Sequence, residues 1–95
     1  MEEKMLVAAL QNIAENPQKL KEIVDMFDDV NLPNINFKTM GGHVFWNNLA
    51  SYNGWRIQQN TLTHHCRILD PNDVRRAWGG LSAMEKVFKK MADSN

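Results

Sequence analysis

The sequence predicts an α+β fold: an N-terminal helical hairpin, a third helix, a three-stranded antiparallel meander and a C-terminal helix. Three observations predict it. Apolar residues recur at helical spacing at both ends of the chain, they alternate with polar residues in the middle, and turn-forming residues separate these stretches. Ninety-five residues make one domain, spanning residues 1–95. A chain of that length buries roughly 60–70% of the surface its unfolded form exposes.

Leu6, Ala9, Leu10 and Ile13 share one face of a first helix, with Lys4, Gln11 and Glu15 elsewhere on the wheel. Asn16-Pro17 then punctuates the chain as a helix start, because asparagine caps well and proline at the first helical position has no hydrogen bond to lose. Leu20, Ile23, Val24 and Phe27 repeat the spacing, so the first two helices are expected to close as an antiparallel hairpin on one apolar seam. The second helix ends in Asp28-Asp29, against the dipole, which marks a solvated, frayed end. From Val30 to Gly42, Pro33 and the asparagines predict an irregular loop, with Ile35 and Phe37 as its anchors to the core. A third helix is expected from about His43 to Tyr52, with Phe45, Leu49 and Tyr52 on one face and Asn53-Gly54 as its left-handed stop.

Trp55 to Trp78 carries the meander. Trp55 and Ile57 alternate with Arg56 and Gln58, Asn60-Thr61 offers a turn, and Leu62 to Leu69 alternates again. Asp70-Pro71-Asn72-Asp73 has the composition of a type I turn, and Val74 to Trp78 returns. The same stretch also admits a helix capped by Asp70, with Trp55, Leu62, Cys66 and Leu69 near heptad spacing, which would make the chain an all-α bundle. Strands are preferred because β-branched and aromatic residues punctuate the segment and Gly79-Gly80 ends it. In the last helix Ser82 and Glu85 match a capping box. Met84, Val87, Phe88 and Met91 form the buried face, and Lys89-Lys90 suit the C-terminal dipole.

Formal charge is zero, so no overall field draws the chain to nucleic acid or an anionic membrane. The charge is nevertheless placed unevenly. Residues 1–30 carry three lysines against seven acids (−4), residues 31–81 five cations against two acids (+3), and residues 82–95 three against two (+1). All four arginines lie between positions 56 and 76. The single cysteine, Cys66, excludes an internal disulfide, and Met5 to Leu10 is too short for a signal-peptide core or a membrane span. The cytoplasm is the expected compartment.

No residue pattern names a reaction. His64-His65-Cys66, with His43, supplies too few ligands at the wrong spacing for a zinc site, so structural histidines and a buried thiol are preferred. Cys66 as a nucleophile lacks an orienting acid and an oxyanion hole. Gly41-Gly42 and Gly79-Gly80 lack the lysine and hydroxyl residue of a phosphate loop. The expectation is a protein without catalysis, cofactor or metal.

What remains is a surface. In a meander, Trp55, Ile57, His64, Cys66 and Ile68 share the face toward the helices. Arg56, Gln58, Thr63, His65 and Arg67, joined by Arg75 or Arg76, share the other. A solvated sheet face is the plainer explanation of that pattern. The functional expectation is a small protein-interaction module that uses Arg56, Gln58, Arg67, Arg75, Arg76 and Trp78, with a homodimer among the partners. The alternative is a nucleic-acid-binding adaptor of winged-helix-like element order, with residues 43–52 as the recognition helix. A metal or thiol enzyme is third.

Overall fold

The computed structural model describes residues 3–26 and 46–93. It is α+β. Helices α1 (Glu3–Glu15) and α2 (Pro17–Met26) precede strands β1 (Trp46–Tyr52), β2 (Trp55–Asn60), β3 (Cys66–Leu69) and β4 (Arg75–Gly79), and helix α3 (Leu81–Ala92) closes the order. The strands form one antiparallel sheet in sequential order, so every connection is a hairpin. The expected loop at 30–42, the helix end at Phe27 to Asp29, and residues His43 to Phe45 lie outside the described residues.

The helical faces read from the sequence are the buried ones. Leu6, Ala9, Leu10 and Ile13 of α1, Leu20 and Ile23 of α2, and Met84, Val87, Phe88 and Met91 of α3 form one core with Ala50, Trp55, Ile57, Cys66, Ile68 and Ala77 of the sheet. Each large side chain in this set stabilises the fold by about 1.5–3 kcal/mol. Asn16 alone separates α1 from α2, which is too short a link for two helices to lie side by side along their length. They touch, but α1 packs chiefly along α3. The Asn12 side-chain amide donates to the Met91 carbonyl at 2.5 Å, giving α1 a grip on one of the last carbonyls of α3.

Several expectations are corrected. Described residues of the expected third helix, 46–52, form strand β1 instead, and the meander therefore has four strands. The alternation of β1 is interrupted at Leu49, an extra residue between the pairs Asn48–Gln58 and Ala50–Ile57. This bulge moves Leu49 and Tyr52 to a spacing that imitates a helix. Asn53 (φ 49°) and Gly54 (φ 87°) are left-handed as expected, but as the two central residues of a type I′ hairpin rather than a helix stop. The capping box is also absent. Gly80 is the N-cap of α3 with no side-chain cap, and Ser82 lies within the first turn.

The other two hairpins are built by side chains that bond their own loops. Asn60 Oδ1 accepts the amides of Leu62 (2.8 Å) and Thr63 (3.0 Å), and the left-handed His64 (φ 63°) returns the chain to β3. Residues 62–65 are therefore loop rather than strand, and Leu62 is 75% exposed at its tip. Asp70 to Asp73 is the expected type I turn, closed by the Asp73 amide on the Asp70 carbonyl at 3.0 Å, with Asp73 itself left-handed (φ 64°).

Gly54 also lies under the neighbouring turn, since a Cβ there would sit 2.9 Å from Pro71 Cβ. Gly54→Ala, strained in both backbone and contact, should cost about 1–3 kcal/mol by urea denaturation, whereas Asn53→Gly should stay within about 0.5 kcal/mol. A Gly54→Ala variant as stable as the parent would contradict the type I′ geometry.

Candidate functional site

Among the described residues, the helices pack on the sheet face that carries Ala50, Ile57, Cys66, Ile68 and Ala77. Strand register assigns the other face. On it, Asn48, Gln58, Arg67 and Trp78 form one cross-strand row, and Arg56, Leu69 and Arg75 form the next. Three arginines thus surround Leu69 on three adjacent strands, with rows about 7 Å apart along the strand direction.

The first row is a hydrogen-bonded relay. Arg67 Nε donates to Gln58 Oε1 at 2.8 Å, and Gln58 Nε2 donates to Asn48 Oδ1 at 2.6 Å. The Arg67 guanidinium stacks on Trp46, its carbon 3.9 Å from the ring centroid. A desolvated contact of this kind contributes about 2 kcal/mol. This row is not the wet face expected from the sequence. Gln58 is 4% exposed, Arg67 6%, and Leu69 is buried beside them. Burial pushes the Arg67 guanidinium down from 12.5 to about 10, the positive charges of Arg75 and Arg56 add to that, and Asp73 pulls the other way. It still carries its proton at neutral pH.

The four arginines fare differently. Arg56 forms an ion pair with Asp73 and donates to the Asp70 carbonyl at 3.4 Å, while its buried Nε meets no acceptor among the described residues. Arg76 is the extra residue of a second bulge, between the pairs Ile68–Ala77 and Leu69–Arg75. That irregularity takes Arg76 out of the cross-strand rows, and its side chain reaches Asp70 Oδ2 at 3.3 Å and lies 5.9 Å from the Trp55 ring. Arg75 lies 5.4 Å from the Trp78 ring, and His65 meets the same ring edge-on at 5.4 Å. Arg67 belongs to neither ion pair.

Of the six residues singled out from the sequence, Arg56, Gln58, Arg67, Arg75 and Trp78 lie together, and Arg76 does not join them. Gln58 and Arg67 form the buried floor, whereas Arg56, Arg75 and Trp78 are half-buried around it. Sequence reading missed Trp46 as a site residue and assigned both it and Asn48 to a helix. The Asn53-Gly54 pair, the strongest short hairpin signal, would have placed them on this face.

The other side of the sheet is chemically quiet. His64 sits in the β2–β3 loop, off the strand face where it was expected, and Cys66 is fully buried with its Sγ 3.9 Å from the His64 carbonyl oxygen. Burial first, then the charge of Glu85, raises this thiol from 9.0 to about 11, the reverse of what a nucleophile needs. Among the described residues, no three His, Cys, Asp or Glu side chains converge as a metal site. No described helix is long and apolar enough to cross a membrane. Comparison with protein-family models, curated proteins and solved structures returns no match.

Cys66 should resist a thiol reagent in the native protein at pH 8 and react at the rate of unfolding. Above pH 9 the unfolded chain releases the thiol proton, while the native chain holds it until about 11. Native stability therefore falls across that window. Denaturation midpoints measured from pH 8 to 11 should fall less steeply in Cys66→Ala than in the parent.

Proposed function

We propose that this chain is a non-catalytic protein-interaction module that docks through the arginine–tryptophan face of its sheet. The observation that carries the reading is the half-buried Trp78 between Arg75 and His65, set on the sheet side away from α1 and α3. Tryptophan and arginine dominate the energetics of protein interfaces, and they do so where neighbouring groups hold them rigid. The Asn48–Gln58–Arg67 relay supplies that rigidity beneath the rim.

Residues 1–30 of a second copy, at −4, carry charge opposite to this face, so the partner is either a second copy or a different protein with an acidic surface. The nucleic-acid alternative has lost the described part of its recognition helix, because residues 46–52 are a strand at the edge of the proposed surface's own sheet.

Arg75→Glu and Trp78→Ala should each abolish capture of the partner from source-cell lysate, with the fold intact by circular dichroism, while Arg76→Gln should not. Light scattering reports whether the partner is a second copy. Unchanged capture by both face variants would refute the reading, as would a shift of duplex DNA at low salt without any captured protein.

A further inference from the structure

We infer that Asn53 is a site of spontaneous modification, converted through a cyclic imide to an isoaspartyl link that the β1–β2 hairpin resists while closed and does not accept once formed. This stands apart from the docking reading above, since it concerns the turn that aligns the two strands. Asn53 is the one asparagine of the sequence followed by glycine. Glycine has no side chain to shield its own amide nitrogen, which is the attacking atom. Both residues are exposed at the hairpin tip. The side chains of Asn12, Asn48 and Asn60 are hydrogen-bonded instead, and a branched residue follows each of them.

The chemistry needs water alone. The Gly54 amide nitrogen loses its proton to solvent base and forms a bond to Asn53 Cγ. The Cγ–Nδ2 bond breaks, and the departing group takes up a proton to leave as ammonia. Water then opens the five-membered imide at one of its two carbonyls. Cleavage of the Cγ–N bond gives an ordinary aspartate. Cleavage between the Asn53 carbonyl carbon and the Gly54 nitrogen leaves the chain running through Cβ and Cγ, one backbone atom longer.

The native turn holds the first step back. A φ of 49° at Asn53 and of 87° at Gly54 are those of a type I′ turn, whose first central residue has ψ of about +30°. At that angle the Gly54 nitrogen lies nearly opposite Cβ across the Cα–C bond, out of reach of Cγ. Ring closure needs it swung to the side of Cβ, and hence the turn opened. The longer product does not fit either. The Tyr52–Trp55 pair closes on two residues, and Gly54 has little room towards the neighbouring turn, since even a Cβ there would lie 2.9 Å from Pro71 Cβ. An added backbone atom therefore breaks the β1–β2 register, and with it the seating of Trp46 on Arg67 and of Asn48 on Gln58.

The test incubates the full chain, native and guanidinium-unfolded, at mildly alkaline pH and maps the products by peptide mass spectrometry with isoaspartyl-specific methylation. In the unfolded chain Asn53 should convert faster than every other asparagine. In the native chain it should convert at least about tenfold more slowly, because only the opened hairpin reacts. Equal rates in the two states, or faster conversion of another asparagine in the unfolded chain, would overturn the inference. The isoaspartyl form, separated by ion exchange, should lose amide-exchange protection across residues 46–52 and unfold at lower denaturant than the parent. Asn53→Asp carries the same new charge on an ordinary backbone and should keep both properties. Asn53→Gly should keep both and lack the reaction. An isoaspartyl chain as protected and as stable as Asn53→Asp would show that the turn accepts the longer link, and that too would overturn it.

Discussion

The register of a four-stranded meander is the constraint on which everything else in this molecule depends, and three short hairpins set it. Each hairpin contains a backbone turned into the left-handed region, at Asn53-Gly54, at His64 and at Asp73. Asparagine, aspartate and histidine are the non-glycine residues most often found there, so the positions are tolerable, and the loops are further held by their own side chains. Asn60 accepts two amides of its loop, and Asp70 Oδ1 accepts those of Asn72 (2.8 Å) and Val74 (3.0 Å). A slip of one residue in any strand would exchange its two faces. Ile57 and Ile68 would then meet water, and Arg56, Gln58 and Arg67 would enter the hydrocarbon core.

The helices and the sorting of the two sheet faces were legible in the sequence because each depends on a period that nothing interrupts. Leu6, Ala9, Leu10 and Ile13 keep helical spacing without a break, and Trp55-Arg56-Ile57-Gln58 alternates cleanly. Strand β1 was not legible, because the extra residue at Leu49 shifts the pattern by one and leaves spacings of three and four. The loop at 62–65 was misread for a related reason: Leu62 and His64 continue the alternation of β3 although neither belongs to it. Arg76 could not be separated from Arg75 without coordinates, since a bulge decides which of two adjacent arginines joins the face. The stacking of Arg67 was equally hidden, because its partner is Trp46, a residue twenty-one positions away whose strand was read as a helix.

Placing a guanidinium in a dry row of side chains has costs that a solvated lysine would avoid. The Gln58 amide fixes Arg67 on one edge and Trp46 covers its face, so the side chain has lost its freedom before any partner arrives. On the proposed docking reading, a group held this way would bind with little further ordering. Asn48 holds Gln58, and Gln58 holds Arg67.

The two bulges both fall on the outermost strands, Leu49 on β1 and Arg76 on β4. A flat outer strand offers a row of open amides and carbonyls on which a foreign strand can build, the usual start of sheet-to-sheet aggregation. An inserted residue twists that row and breaks its repeat, and Arg76 adds a charge at the break. Both borders of the sheet are therefore poor templates for backbone pairing.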